Sequence, residues 1–422
     1  MFNRDRLKII DFWQKVALEE GLFQRNITKL IDIKSKEIVD VTGPRRSGKS
    51  SLLKLILRKL NPKDGFLYLN FEDPYFIEHN DQEIILEMVD TFREYFQPGL
   101  KHLFFDEIQN IKSWEKAIRK LRDTNSYKIF ISGSSSKLLG GEFASLLSGR
   151  HLSYTLLPLS FSEFLIFKKI EVDSKKDLII KEKTVLRLFD EYLEKGGFPA
   201  VVLSKRPELL KQYYLDIVQK DIISRYDIRE KSVMEKMGVF LLSNSAKILS
   251  LLSIQKLYGI SYELVSAYFS YFKEAFLVFE LPQYSHSLKT QQKALKKIYP
   301  VDVGLANATS FRFSKEKGRM LESIVFLELI RSGKEVFYYK TSNNKEVDFL
   351  IKTEGTYELI QVCWDLDDPK TKKREIQSLN QAMSETKVKK SLILTYNYED
   401  KIEIDQGIIR ALPVYKWLLK YG

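Results

Sequence analysis

Residues 38–57 read IVDVTGPRRSGKSSLLKLIL, and the fold turns on them. The run from Ile38 to Thr42 is apolar and β-branched, so it reads as a buried strand, while the apolar spacing from Leu52 onward reads as a helix. Between them Gly43, Gly48, Lys49 and Ser50 satisfy G-x-x-x-x-G-K-[ST] in the strand-to-helix setting that this loop requires. Along Gly43, Pro44, Arg45, Arg46, Ser47, Gly48, Lys49, Ser50 and Ser51 the glycines let the backbone curl, so that its N–H groups and the helix N-terminus face an anion. Lys49 is set to reach the β- and γ-phosphates of ATP, and Ser50 to ligate Mg2+.

Further short apolar runs follow outward from this loop: FLYLN at 66–70, HLFFD at 102–106, KIFIS at 128–132 and SYTLL at 153–157. Spacers long enough for helices separate them, which predicts an α/β domain with a doubly wound parallel sheet. HLFFD ends in Asp106, 57 positions after Lys49, and Glu107 follows it. Asp106 is expected to hold Mg2+ through water and Glu107 to polarise the attacking water, as in P-loop ATP hydrolases with an additional strand. Ser132, Gly133 and Ser134 end the next run, where Ser134 can sense the γ-phosphate or the nucleophilic water. Asn70, at the end of FLYLN, is expected to hold the catalytic glutamate off until a partner binds.

The whole chain has 422 residues, 44% hydrophobic and 29% charged, which suits two to three globular domains and excludes a disordered or collagen-like chain. Its 68 Lys and Arg against 56 Asp and Glu, a net +12, permit a polyanionic partner. The single cysteine, Cys363, excludes an internal disulfide framework and fits a reducing compartment. MFNRDRLKII carries charges within its first six residues, unlike a secretory signal, and no apolar run reaches the roughly 18 residues of a membrane span. The expectation is a soluble cytoplasmic protein with no membrane partner.

After Pro158 the pattern is helical to about residue 275, read as a lid over 161–204 and a second module over 205–300. That module holds 15 Lys and Arg against 9 Asp and Glu. MEKMGVFLLSNSA, ILSLLSIQKLYG and SYELVSAYFSYFKEAFLVFEL give three helical segments with a Tyr-Gly-Ile-Ser break before the third, a spacing that suits helix-turn-helix. Ser261 is placed to cap the third helix, and HSLKTQQKALKKI at 286–298 to form a wing. The third helix offers Tyr262, Glu263 and Ser266 near its start and no Arg, a poor set for reading base edges. From residue 301 a helix over about 318–332 and the alternating runs VFYYK, VDFLIK and YELIQVCW predict an α+β domain to residue 422.

The set GPRRSGKS, NFEDP, FFDEIQNIKSWEKAIRKL, ISGSSSKLL, LLSGR, LPLSFSEF and EKGGFPAVV resembles the AAA+ ATPase family of archaea and bacteria that carries a winged-helix segment and a C-terminal domain similar to PD-(D/E)xK nucleases. The resemblance implies an α/β P-loop core over 1–160, the helical lid, a winged helix over 205–300 and a restriction-endonuclease-like domain over 301–422. It further implies ATP with Mg2+ and an arginine-finger role for Arg150 of LLSGR, exercised in trans within a homo-oligomer. On the nuclease pattern the matching positions are Glu322, Asp348, Gln361 and Cys363. An amide there replaces a carboxylate and a thiol replaces an ammonium, which weakens both Mg2+ binding and water activation. Glu375 on the following helix is a substitute carboxylate. The expected function is an ATP-driven switch coupled to sequence-independent DNA binding or to a protein partner. An ATP-regulated DNA endonuclease and a nucleotide-sensing scaffold are the alternatives; Gln361 and Cys363 weigh against the first, Glu107 against the second.

Overall fold

In the computed structural model, residues 2–60, 65–136, 150–310 and 317–421 are described. Residues 137–139 of ISGSSSKLL and 146–149 of LLSGR lie outside them. The chain divides into two compact units, residues 1–157 with 274–276, and residues 158–273 with 277–422.

The first unit is a five-stranded parallel sheet built from β1 (Ile38–Thr42), β2 (Phe66–Asn70), β3 (His102–Asp106), β4 (Lys128–Gly133) and β5 (His151–Thr155), in the order β2-β3-β4-β1-β5. Strands buried on both faces read as continuous apolar runs, and side chains still alternate between the faces. Leu103, Phe105, Ile129 and Ile131 point into one core, where the helices Gln82–Tyr95 and Trp114–Asp123 bury Ile84, Met88, Val89, Ile118 and Leu121. Phe104 and Phe130 point into the other, against Leu52, Leu53 and Ile56 of α1 (Lys49–Lys59). β4 lies between β1 and β3, so the strand bearing the phosphate loop and the strand ending in Asp106 are separated by one strand. The fifth strand covers 151–155 rather than the expected 153–157. Leu156 and Leu157 are buried beyond its end, with Leu156 N donating to Thr42 O at 2.7 Å.

The second unit opens with helices, among them Phe161–Phe167 and Glu182–Lys195. The expected run of helices to residue 275 is interrupted: after the helix Lys231–Ser243 comes β6 (Lys247–Leu249), then α2 (Leu251–Tyr258) and α3 (Tyr262–Glu274). β7 (Val278–Leu281) and β8 (Lys296–Pro300) complete a three-stranded antiparallel sheet in the order β6-β8-β7. Ser261 Oγ accepts from Leu264 N at 3.2 Å at the start of α3. The tract expected as a wing divides instead. Ser287 caps a short helix, Leu288–Lys293, and Lys296 begins β8, because KKIYP is the segment that pairs with both neighbouring strands.

The remaining strands form a six-stranded mixed sheet. β9 (Glu335–Lys340), β10 (Glu346–Thr353) and β11 (Thr356–Cys363) match the expected alternating runs, and β12 (Lys390–Thr395), β13 (Asp400–Ile404) and β14 (Gly407–Pro413) extend them in the order β13-β14-β12-β11-β10-β9. α4 (Lys317–Arg331) and α5 (Pro369–Thr386) pack on this sheet. No helix among the described residues is long and apolar enough to cross a membrane.

Candidate functional site

The phosphate loop has the backbone that its sequence requires. Gly43 at φ +145° and Gly48 at φ +98° adopt angles that favour glycine, and a Cβ on Gly43 would lie 2.2 Å from Leu156 O. Gly48 is the N-cap of α1, and among the described residues no side chain caps that helix end. The first-turn N–H groups of an uncapped helix need an acceptor, and a phosphate supplies one. Arg25 braces the loop from outside the motif, donating to Ser47 O at 2.8 Å and to Leu157 O at 2.7 Å. The buried Ser47 hydroxyl finds no hydrogen-bond partner among the described residues.

Four strand ends converge beside the loop. Lys49 Nζ lies 3.1 Å from Glu107 Oε1 and 3.3 Å from Pro44 O, with Lys49 and Glu107 both buried. Glu107 has left β3 in a left-handed conformation, φ 52°, which turns its side chain toward Lys49 and not along the strand. Gln109 Nε2 donates to Glu107 Oε2 at 2.6 Å and to Ser134 Oγ at 3.4 Å. Burial alone would raise the Glu107 carboxyl, but the Lys49 ammonium and the Gln109 amide hold it below the ordinary glutamate value.

Asp106 is different. Burial, then the neighbouring Glu107 charge, push its carboxyl above the ordinary aspartate value, against donation from Ser132, Ser50 and Tyr68. Ser132 Oγ donates to Asp106 Oδ1, Tyr68 OH donates to Oδ2 at 2.9 Å, and Asn70 Nδ2 donates to the same oxygen at 3.2 Å. A carboxylate so situated, with the Ser50 hydroxyl beside it, is the kind of hard oxygen site that Mg2+ prefers, and the uncapped loop fits a polyphosphate. The residues present therefore fit ATP with Mg2+.

The structure brings Gly43 to Ser51, Asp106, Glu107, Ser132 and Ser134 together, and it separates or reassigns others. Asn70 contacts Asp106, not Glu107, because the parallel register sets it opposite Asp106. Arg150 sits apart from the loop: Ile38 N donates to its carbonyl at the start of β1, the opposite end of that strand, and its guanidinium lies 3.6 Å from Asp123. Arg45 pairs with Glu72, and Arg46 is exposed. Sequence reasoning missed Arg25, Tyr68 and Gln109, of which only Gln109, a polar residue just beyond Asp106-Glu107, carried a local signal.

In the second unit, Glu322 on α4 and Asp348 on β10 do come together, but around a lysine. Lys297 of β8, 2% exposed, lies 2.9 Å from Glu322 Oε1, 2.7 Å from Glu346 Oε1 and 3.0 Å from Asp348 Oδ1. Tyr299 OH donates to Glu322 Oε1 at 2.6 Å. Burial and Asp348 push the Glu322 carboxyl up to about 7, against Lys297 and Tyr299. Asp348 N donates to Gln361 Oε1 at 3.2 Å, and Val362 N to Asp348 Oδ2 at 2.9 Å. Cys363 is buried in the apolar core under the sheet, its thiol donating to Asp365 O and pushed up to about 12 by burial. Glu375 is buried and pairs with Arg374, which is largely exposed. Among the described residues no group of three or more His, Cys, Asp or Glu side chains is disposed to hold a metal ion. With an ammonium amid its carboxylates, this pocket does not fit a divalent cation.

A family model described as an AAA domain matches residues 35–165, so the chain carries an AAA-type domain. Two models described as domains of unknown function match residues 186–316 and 317–417. An uncharacterized protein of Methanocaldococcus jannaschii, MJ1544, is 38% identical, the alignment covering 96% of this chain and 93% of that protein. An uncharacterized protein of Haemophilus influenzae is 31% identical over 93% of this chain and 97% of its own length. Among solved structures, the Aeropyrum pernix ORC1 protein in complex with DNA aligns over 73% of this chain and 91% of that one, at 11% identity and a TM-score of 0.32, a likeness too slight to bear on function.

Proposed function

We propose a function from the premise that the chain belongs to the family of the Methanocaldococcus jannaschii and Haemophilus influenzae proteins and carries an AAA domain: it is an ATPase whose nucleotide state drives a switch in the modules that follow. The observation that carries this reading is the convergence of Lys49, Ser50, Asp106 and Glu107 at an uncapped helix N-terminus. Residues 43–51 would wrap the phosphates, with Lys49 leaving Glu107 to meet them. Ser50 and Asp106 would hold Mg2+, which when bound supplies charge neutralisation and orients the phosphates. Glu107, freed from Lys49, accepts a proton from the attacking water, while Gln109 and Ser134 fix its carboxylate and Tyr68, Asn70 and Ser132 fix Asp106. Arg150 would act only on the site of another copy in a homo-oligomer.

The remaining modules are read as follows. The order helix, β6, α2, α3, β7, β8, with its antiparallel three-stranded sheet, supports a winged helix within residues 205–300. DNA contact there is by charge and not by base edges. Lys289 and Lys293 are exposed, but Lys296 lies 3.3 Å from Glu280 and Lys297 is buried, so the cations available are fewer than the tract offers in sequence. The domain from residue 301 keeps nuclease-like acidic positions and does not cut. The test is ATP turnover by the full chain with and without duplex DNA in Mg2+, with cleavage of the same DNA scored in parallel. Turnover without cleavage is expected. Absence of ATP binding and turnover would overturn the ATPase reading, and cleavage lost in Asp348→Ala would restore the endonuclease.

A further inference from the structure

The Glu322, Glu346 and Asp348 cluster raises a question that the nucleotide site leaves untouched: what offsets the charge of three neighbouring carboxylates, two of them buried? Lys297 is the answer at hand. Its backbone belongs to the three-stranded sheet, paired to Ile248 of β6 and Leu281 of β7, yet its ammonium lies among side chains of α4 and β10. Strand alternation separates it from Lys296, whose ammonium reaches Glu280 instead. Two residues on, Tyr299 stacks on Phe326 with ring centroids 4.0 Å apart and adds its hydroxyl to Glu322. Of the three Lys297 contacts, 2.7 to 3.0 Å, those to Glu322 and Asp348 are hydrogen bonds and that to Glu346 is an ion pair.

We propose that Lys297 is the resident cation of this pocket: a fixed protein charge stands where a divalent metal would have to sit, and the pocket is an ion-paired joint tying the β6–β8 module to the six-stranded sheet. It is independent of nucleotide chemistry. A lysine cannot leave its strand as a metal ion leaves a site, so the pocket stays closed to cations for as long as β8 keeps its place. Removing the ammonium leaves the carboxylates without that countercharge, a costly arrangement that an added divalent ion can relieve.

The experiment uses the full chain without nucleotide and follows Mn2+ uptake by the loss of free-ion EPR signal, together with thermal unfolding. The parent is expected to take up no more Mn2+ than Asp348→Asn, and millimolar Mn2+ should leave its Tm unmoved. Lys297→Ala should melt on the order of 5 °C lower. Mn2+ should recover at least half of that loss, and the recovery should vanish in Lys297→Ala with Asp348→Asn. If Lys297→Ala does not fold, Lys297→Met combined with Glu322→Gln and Asp348→Asn, which removes the charge together with two of its partners, should fold and melt near the parent. Parental Mn2+ uptake that disappears in Asp348→Asn would overturn the proposal, as would an unchanged Tm in Lys297→Ala, a folded Lys297→Ala that Mn2+ fails to rescue, or failure of the neutralised variant to fold.

Discussion

Replacing Glu107 by Gln separates the Lys49 ion pair that the structure shows from the general-base role proposed for the same carboxylate. It pairs with Lys49 at 3.1 Å, with the two side chains 8% and 3% exposed. At an effective dielectric of about 20, two unit charges at that distance attract by about 5 kcal/mol before desolvation is counted. ATP binding must give up that attraction, because the same ammonium is needed at the phosphates. Glutamine keeps the shape and loses the charge, so Lys49 becomes available. If only about 1.4 kcal/mol of the gross attraction survives compensation by the phosphates, ATP binds roughly tenfold tighter. Removing a carboxylate that repels the γ-phosphate acts in the same direction. Turnover should meanwhile fall about a hundredfold or more, since the amide accepts no proton from water. The assay pairs titration of the full chain with a fluorescent ATP analogue and steady-state phosphate release, with Lys49→Ala as the variant expected to lose nucleotide affinity. Parental turnover in Glu107→Gln would refute the general-base assignment; unchanged or weaker affinity would refute the competition for Lys49.

Two further predictions rest on single residues. Asp40, buried in the middle of β1 with Ser153 Oγ donating to it at 2.6 Å and with His151 Nδ1 lying 3.9 Å away, has its carboxyl pushed up to about 7 by burial, against that hydrogen bond. A carboxyl whose folded value is raised contributes stability that is full below the unfolded value and lost as pH rises through the folded one. The parent should therefore lose stability relative to Asp40→Asn between about pH 4 and 7, by up to about 4 kcal/mol, and equal urea midpoint shifts across that window would sink the assignment. For the proposed winged-helix module, Lys289→Ala with Lys293→Ala should weaken binding to all duplexes alike and flatten the log–log salt slope by about 2, whereas Lys297→Ala should leave the slope as it was; a slope that changes only in Lys297→Ala would contradict the burial of that side chain.

What the sequence makes legible is whatever chemistry is contiguous along the chain. The phosphate loop is nine consecutive residues whose backbone angles follow from two glycines, and Asp106-Glu107 ends an apolar run that only a buried strand explains. β1 to β4 read clearly because both faces are covered; β13 reads poorly because Asp400–Ile404 alternates between exposed and half-buried positions. Asn70 shows where such reading stops. Its position at a strand end beside the site is right, but its partner is decided by a register in which Asn70 faces Asp106, while a left-handed turn at Glu107 carries the next side chain away to Lys49. Arg150 is the converse case: the motif names the residue, and the pairing of Ile38 with the start of β5 sets it at the end of the sheet away from the phosphates. Lys297 lies furthest from what sequence can tell. In the tract KALKKI it is one more cation, and its carboxylate partners stand 25, 49 and 51 positions further on. The local hint is the change at KKIYP from polar to apolar, which marks the start of a buried strand. A lysine at that point must either reach solvent or find acids inside, and β8 is covered on the side where Lys297 points, so the acids had to be there.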